Sequence, residues 1–265
     1  MSRLIDRLEK GAQSSPEPMG FGAASGRTDA VAAIILVGRV TPDDLTKDPA
    51  LADAPVDAVL VSLDSAEDAP LDELPTLLKD RMWGVQAGGL DEAQASRLKE
   101  AGCDFIVFDA GDTAAAVLGD EDLGKILTVE RELSEEAGRA IQDLPIDAVA
   151  FSPMVDIKPL TIKKLIDIQQ VRGLVDGPFI VDTSSELGVP ELEAFRNVGI
   201  GGLLVELKAA DTIAGLKESI SKMKRPKPKP VGRGMVVLRG HSGYEPASAP
   251  EDGDDEDDED RQLEA

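Results

Sequence analysis

The chain has 265 residues and a formal net charge of −23, with 42% hydrophobic but only 3% aromatic residues. That length fits one domain with tails, and so acidic a balance argues against a nucleic-acid surface on the folded part. One cysteine, Cys103, excludes an internal disulfide, and one histidine, His241, leaves no His/Cys cluster for a structural zinc.

Taken in order, Ser2 to Lys10 is predicted as a short helix with Leu4, Ile5 and Leu8 on one side. Such a helix suits capping of the domain that follows, or packing on a partner. The N-terminus is too charged for a secretory signal, and no apolar run approaches the ~20 residues of a membrane span. A cytoplasmic location is therefore expected. A Ser/Pro-rich linker, Gln13 to Pro18, and an apolar stretch at Met19-Gly-Phe-Gly lead into eight short β-rich runs. These are Ala33–Gly38, Ala58–Leu63, Met82–Gln86, Asp104–Phe108, Lys125–Val129, Ala148–Phe151, Pro178–Val181 and Gly202–Val205. Helices are predicted between them: weak over Thr41–Ala52, then Leu71–Arg81, Asp91–Ala101, a short Thr113–Leu118, Ser134–Leu144, Thr161–Val171, Pro190–Asn197 and Thr212–Met223. Ser134 with Glu135 and Glu136 behind it is a good helix start. Lys224 to Pro230 is a Pro/Lys linker, Gly234–Arg239 reads as a lone β segment, and the acidic remainder has the composition of a disordered tail.

A repeat underlies this pattern. Ala54-Pro-Val-Asp-Ala-Val-Leu-Val61, Ala101-Gly-Cys-Asp-Phe-Ile-Val-Phe108, Leu144-Pro-Ile-Asp-Ala-Val-Ala-Phe151 and Val198-Gly-Ile-Gly-Gly-Leu-Leu-Val205 recur at roughly 45 to 55 residues. Strands alternating with helices imply right-handed βαβ units and a parallel sheet. Eight units over Asp29 to Met223 resemble the TIM-barrel superfamily of aldolase-type or phosphate-binding (β/α)8 barrels. The expected organisation is a helix and linker at 1–28, an α/β (β/α)8 barrel at 29–223, and a linker with acidic tail at 224–265. The N-terminal helix would then cover the barrel bottom.

In such barrels the site lies at the carboxyl ends of the strands. Side chains alternate along a strand, so the wholly apolar parity is expected to face the helices and the mixed parity the axis. That places Asp64, Gln86, Asp109, Glu130, Ser152, Asp182 and Glu206 in a ring at the top, and five of these seven are carboxylates. Unpaired like charges at close range raise at least one pKa. Relief is expected from Mg²⁺ or another divalent cation on Asp64, Asp109, Asp182 and Glu206, from a carboxyl kept protonated as a general acid, or from the cations Arg39, Arg131, Lys158 and Lys208 folding over the mouth. Strand parity itself points Arg39 and Arg131 away from the axis. Asp109, Glu130, Asp182 and Lys158 are the candidate catalytic groups. Gln86, Ser152, Ser184, Arg39 and Arg131 are candidates for substrate binding. Lys125 sits at a strand bottom, which disfavours a Schiff-base lysine. No organic cofactor is expected. Thr183-Ser-Ser-Glu-Leu-Gly188 suits an anion at a helix start, whereas Leu207 to Thr212 lacks the Gly-rich turn of many phosphate-binding barrels.

Two functions fit. One is a metal-assisted lyase, aldolase or isomerase on a small oxygen-rich molecule. The other is a non-catalytic barrel serving as a scaffold, in which the acids merely cap helices or bond loop amides. A small-molecule ligand or a homo-oligomer is compatible with either; a membrane partner is not.

Overall fold

In a computed structural model the eight runs become parallel strands that close on themselves. They are β1 (Ile35–Val40), β2 (Ala58–Ser62), β3 (Trp83–Gln86), β4 (Phe105–Phe108), β5 (Gly124–Val129), β6 (Ala148–Phe151), β7 (Phe179–Asp182) and β8 (Gly202–Glu206), with β8 pairing back onto β1. The structure describes residues 2–12, 34–64, 73–78, 81–153, 157–183, 186–208 and 210–224. Gly234–Arg239, the acidic tail and Met19-Gly-Phe-Gly lie outside the described residues. The chain folds as a (β/α)8 TIM barrel preceded by a short helix, α1 (Arg3–Ala12). No helix among the described residues is long and apolar enough to cross a membrane.

The helices are α2 (Pro42–Lys47), α3 (Leu74–Leu78), α4 (Glu92–Glu100), α5 (Glu135–Gln142), α6 (Ile162–Arg172), α7 (Val189–Asn197) and α8 (Ala210–Ser221). Their starts follow side-chain chemistry. Asp91 and Gln94 form a reciprocal capping box on α4, while Ser134 and Thr161 cap α5 and α6 by accepting from Ala137 N and Lys164 N. Pro190 occupies the first turn of α7, where its missing N–H costs nothing. Between β4 and β5 only a single 3₁₀ turn, Ala115–Gly119, stands where a helix would otherwise cover the sheet.

Strand alternation produces two apolar layers. Outward residues such as Val59, Val61, Val85, Ile106, Leu127 and Val181 pack under the helices. Inward residues, among them Ile35, Val37, Leu60, Phe105, Val107, Ile126, Ile180 and Leu204, fill the barrel. Phe105 is the bulkiest of these, and it explains a glycine on the neighbouring strand: a Cβ at Gly84 would lie 2.4 Å from Phe105 O and 2.5 Å from its ring.

The barrel bottom is closed by α1. Leu4 and Leu8 are fully buried and join the inward layer. The strand-leading aspartate of the repeat does related work. Asp57 N donates to Leu36 O at 2.8 Å while Leu36 N donates back to the Asp57 carboxylate at 2.9 Å. Asp147 and Lys125 make the same reciprocal pair. In the second copy Asp104 N still donates to Trp83 O, but the carboxylate turns to α1 and accepts from Ser2 Oγ, Arg3 N, Leu4 N and Arg3 Nε. The fourth copy has Gly201, beside which Leu8 passes at 3.8 Å from a would-be Cβ. Cys103, next to Asp104, is buried as a small apolar residue, and burial pushes its thiol up to about 12.

Candidate active site

The mouth is organised by one guanidinium. β1 runs two residues further than its sequence pattern indicates, so Arg39 belongs to the strand and shares the inward parity of Ile35 and Val37. It does not point away from the axis. The sequence pattern stops at Gly38, whose missing side chain reads as a strand end; here it makes room for Leu207, since a Cβ would fall 2.5 Å from Leu207 Cδ2. Arg39 is in register with Glu206 on β8, and Asp182 on β7 is in register with Leu204. From there Arg39 Nε donates to Glu206 Oε1 at 2.6 Å, and Nη1 and Nη2 donate to the two Asp182 oxygens at 2.8 and 3.3 Å. Three of the guanidinium's five N–H bonds are thus taken by acids on two successive strands. Lys208 adds a second cation to Glu206 at 3.2 Å.

The two carboxyls differ in character. Burial, with only 17% of the side chain exposed, holds Asp182 above the ordinary aspartate range; Arg39 opposes this, and the negative Glu206 adds to it. Glu206 also pays a burial penalty, but the hydrogen bond and charge of Arg39, joined by Lys208, outweigh it and bring its pKa below the usual glutamate value. Arg39 is disfavoured as a cation by burial, yet its two acids more than offset this and raise its pKa. Two further inward groups complete the mouth. Gln86 Oε1 and Thr128 Oγ1 are buried and have no hydrogen-bond partner among the described residues.

The rest of the expected ring is more dispersed. Asp64, Asp109 and Glu130 are exposed, each lying just beyond its strand, where alternation no longer governs direction. Glu130 contributes to the wall of a groove on the helix side of the barrel. Gln86 and Ser152 are half-buried at their strand ends. Arg131 donates to Asp167 of α6 at 2.9 Å, in the helix layer. Lys158 is exposed and lines a surface hollow with Glu186, Leu187 and Gly215. Ser184 lies outside the described residues. Lys125 is buried near the bottom and donates to Asp120 O at 2.8 Å, far from any role at the mouth. Among the described residues no group of three or more His, Cys, Asp or Glu side chains is assembled to hold a metal ion. Of the four expected metal ligands, Asp64, Asp109, Asp182 and Glu206, the shared arginine gathers only the last two.

No protein-family model matches the chain, and no curated protein matches it either. Solved structures do. The tryptophan synthase α-subunit of the hyperthermophile Pyrococcus furiosus superposes with a TM-score of 0.55 at 10% identity, covering 71% of this chain and 97% of that one. A single-site mutant of that subunit gives 0.54 at 12%, with the same coverage. Thiamine phosphate pyrophosphorylase from the same organism gives 0.51 at 13%, covering 71% and 96%. At such identities the likeness establishes the barrel fold.

Proposed function

We propose that the mouth over β7, β8 and β1 is the active site of a proton-transferring lyase or isomerase acting on a small, oxygen-rich anion. The observation that carries this reading is the Arg39 fork, a partly buried guanidinium shared by Asp182 and Glu206 at the carboxyl ends of the strands. In this reading Asp182 is the general base, since burial favours its proton-bound form and brings its affinity for a proton closer to what the transfer needs. It removes a proton from the carbon beside a substrate carbonyl. The charge that develops on the carbonyl oxygen meets the remaining N–H bonds of Arg39, and a substrate hydroxyl reaching inward would donate to Gln86 Oε1 or pair with Thr128 Oγ1. Asp182 then returns the proton to a neighbouring atom, or the leaving group departs. Glu206 positions Arg39. A divalent cation on Asp182 and Glu206 would have to displace Arg39, so the metal-assisted version makes a separate prediction.

The alternative of a non-catalytic binding barrel is favoured by one observation: two of the mouth acids are already matched by Arg39 and Lys208. One experiment separates the two. Thermal unfolding is followed with a panel of small oxo- and hydroxy-acids, each with and without Mg²⁺. Acids that raise Tm are then incubated in D₂O and their C–H exchange is followed by NMR. Catalysis predicts exchange that Asp182→Asn slows by about 10² to 10⁴-fold while the Tm shift survives. The metal version predicts a Tm shift with Mg²⁺ alone that Asp182→Asn removes. Binding without exchange leaves the scaffold reading, and a melting point unmoved by every acid refutes a ligand site of this class.

A further inference from the structure

The missing helix between β4 and β5 leaves a groove on the outside of the barrel. It has a volume of about 570 Å³ and runs between the 3₁₀ turn at Ala115–Gly119 and α5. Its floor is apolar, with Phe108, Leu127 and Val129 from the sheet and Leu118, Ala140 and Ile141 from its sides. Two acids, Glu130 and Glu132, also line it, and both are exposed.

One helix further around the barrel, α6 presents the opposite relief. Among the described residues the large hydrophobics left exposed are Leu144, Ile162 and Ile166. Leu144 belongs to the groove. Ile162 and Ile166, 77% and 52% exposed, stand one turn apart on α6 and form a ridge. Beside them is Lys163, whose side chain is 77% exposed and reaches Asp167 at 3.4 Å within the same helix. An apolar ridge edged by a lysine therefore lies next to an apolar groove edged by glutamates, with α5 between them.

That order is self-complementary. A two-fold axis through α5 reverses groove, α5 and ridge, so each copy's ridge meets the other's groove, as an isologous interface requires. Lys163 then approaches Glu130 and Glu132 of the second copy. We infer that the groove is a docking site for a second copy of this chain, which inserts the Ile162/Ile166 ridge of α6 to form a symmetric dimer.

The test is sedimentation equilibrium of the full chain over a wide concentration range. A dimer is expected that Ile166→Glu abolishes, as does Ala140→Glu; both positions are exposed, so both variants should match the Tm that the wild type shows when diluted to monomer, and fall below the wild type only at concentrations where it dimerises. Lys163→Glu and Glu132→Lys should each weaken the dimer by about tenfold at low salt, and the two together should recover it. With Ala140→Cys on one chain and Ile166→Cys on another, oxidation should give a mixed covalent dimer, because the buried Cys103 thiol does not compete. A chain that stays monomeric throughout overturns the proposal and leaves the groove to some other occupant. A dimer that persists in both glutamate variants overturns it too, since another surface must then hold the copies together.

Discussion

Asp104 at the barrel bottom and Asp182 at its mouth are the same residue in comparably shielded places, yet their proton affinities move in opposite directions. Burial penalises both charges. At Asp104 the penalty is overcome by donors that converge on the carboxylate: the backbone N–H groups of Arg3 and Leu4, the Ser2 hydroxyl and Arg3 Nε, so its pKa falls. At Asp182 one arginine must serve two acids, the second acid repels, and the pKa rises. The fold saturates the carboxylate that holds α1 in place and leaves the one at the open end underprovided. Donor count, more than depth, sets the direction in which each acid shifts.

The largest way to break this contrast is to unseat α1. Leu4 and Leu8 are fully buried against the inward layer, so Leu4→Ala or Leu8→Ala should each cost about 2–5 kcal/mol, measured as a drop in urea midpoint. The shape of the site at the mouth should survive, because Arg39, Asp182 and Glu206 are carried by β1, β7 and β8. Next in size is Asp104→Ala, which leaves two backbone donors and a hydroxyl without their acceptor and should cost about 2 kcal/mol at neutral pH. Because the folded pKa of Asp104 is depressed, its stabilisation is present above the ordinary value of 3.8 and is lost as pH falls below that toward the folded value. Wild type and variant should therefore converge in stability in acid. A difference that stays constant to low pH would show that Asp104 acts by packing and not as an ionised cap.

How far these features were legible depends on where the chain is regular. Strand alternation placed Gln86, Asp182 and Glu206 on the inward side, because period-two geometry holds as long as the ladder does. It placed Asp64, Asp109 and Glu130 there as well, but these are exposed, because they follow the last paired residue, where alternation no longer governs direction. Arg39 is misdirected by sequence alone because a glycine in mid-strand mimics a strand end, and only its neighbour Leu207, 169 positions away from Gly38 in sequence, shows why β1 needs one there. The repeat was visible, but the informative acid in it is the one before the strand. Asp57 and Asp147 repeat because they close the ladder onto the preceding strand. Asp104 departs from this role through a contact with α1 that no local pattern encodes. The groove beside α5 was foreshadowed by the short Thr113–Leu118 segment, although one 3₁₀ turn, not an α-helix, occupies it.

At the mouth, Arg39→Met removes the shared cation. Asp182 and Glu206 are then left facing each other, and the loss should be about 2 kcal/mol at neutral pH, below the cost of breaking a fully buried pair because water reaches all three side chains. Both acids should take up protons more readily in the variant, so the deficit should shrink as pH falls. That is the same direction as for Asp104→Ala but over a higher pH range, since the pKa of Asp182 is already raised. A deficit independent of pH would mean that Arg39 contributes by its aliphatic stem.

The smallest effect is also the sharpest. Glu206→Gln keeps the shape of the mouth and removes the charge that helps to raise Asp182. With Arg39 no longer divided between two anions, the Asp182 titration should move to lower pH, as read by carboxyl ¹³C NMR on protein labelled at aspartate. Little net stability change is expected, because one charge is lost from each side of the balance: Glu206 no longer gains from Arg39, and Asp182 no longer suffers from Glu206. If Asp182 is the base, the acid limb of the D₂O exchange rate should follow the NMR midpoint downward. Should the midpoint move while the rate profile stays in place, the proton that limits exchange belongs to some other group.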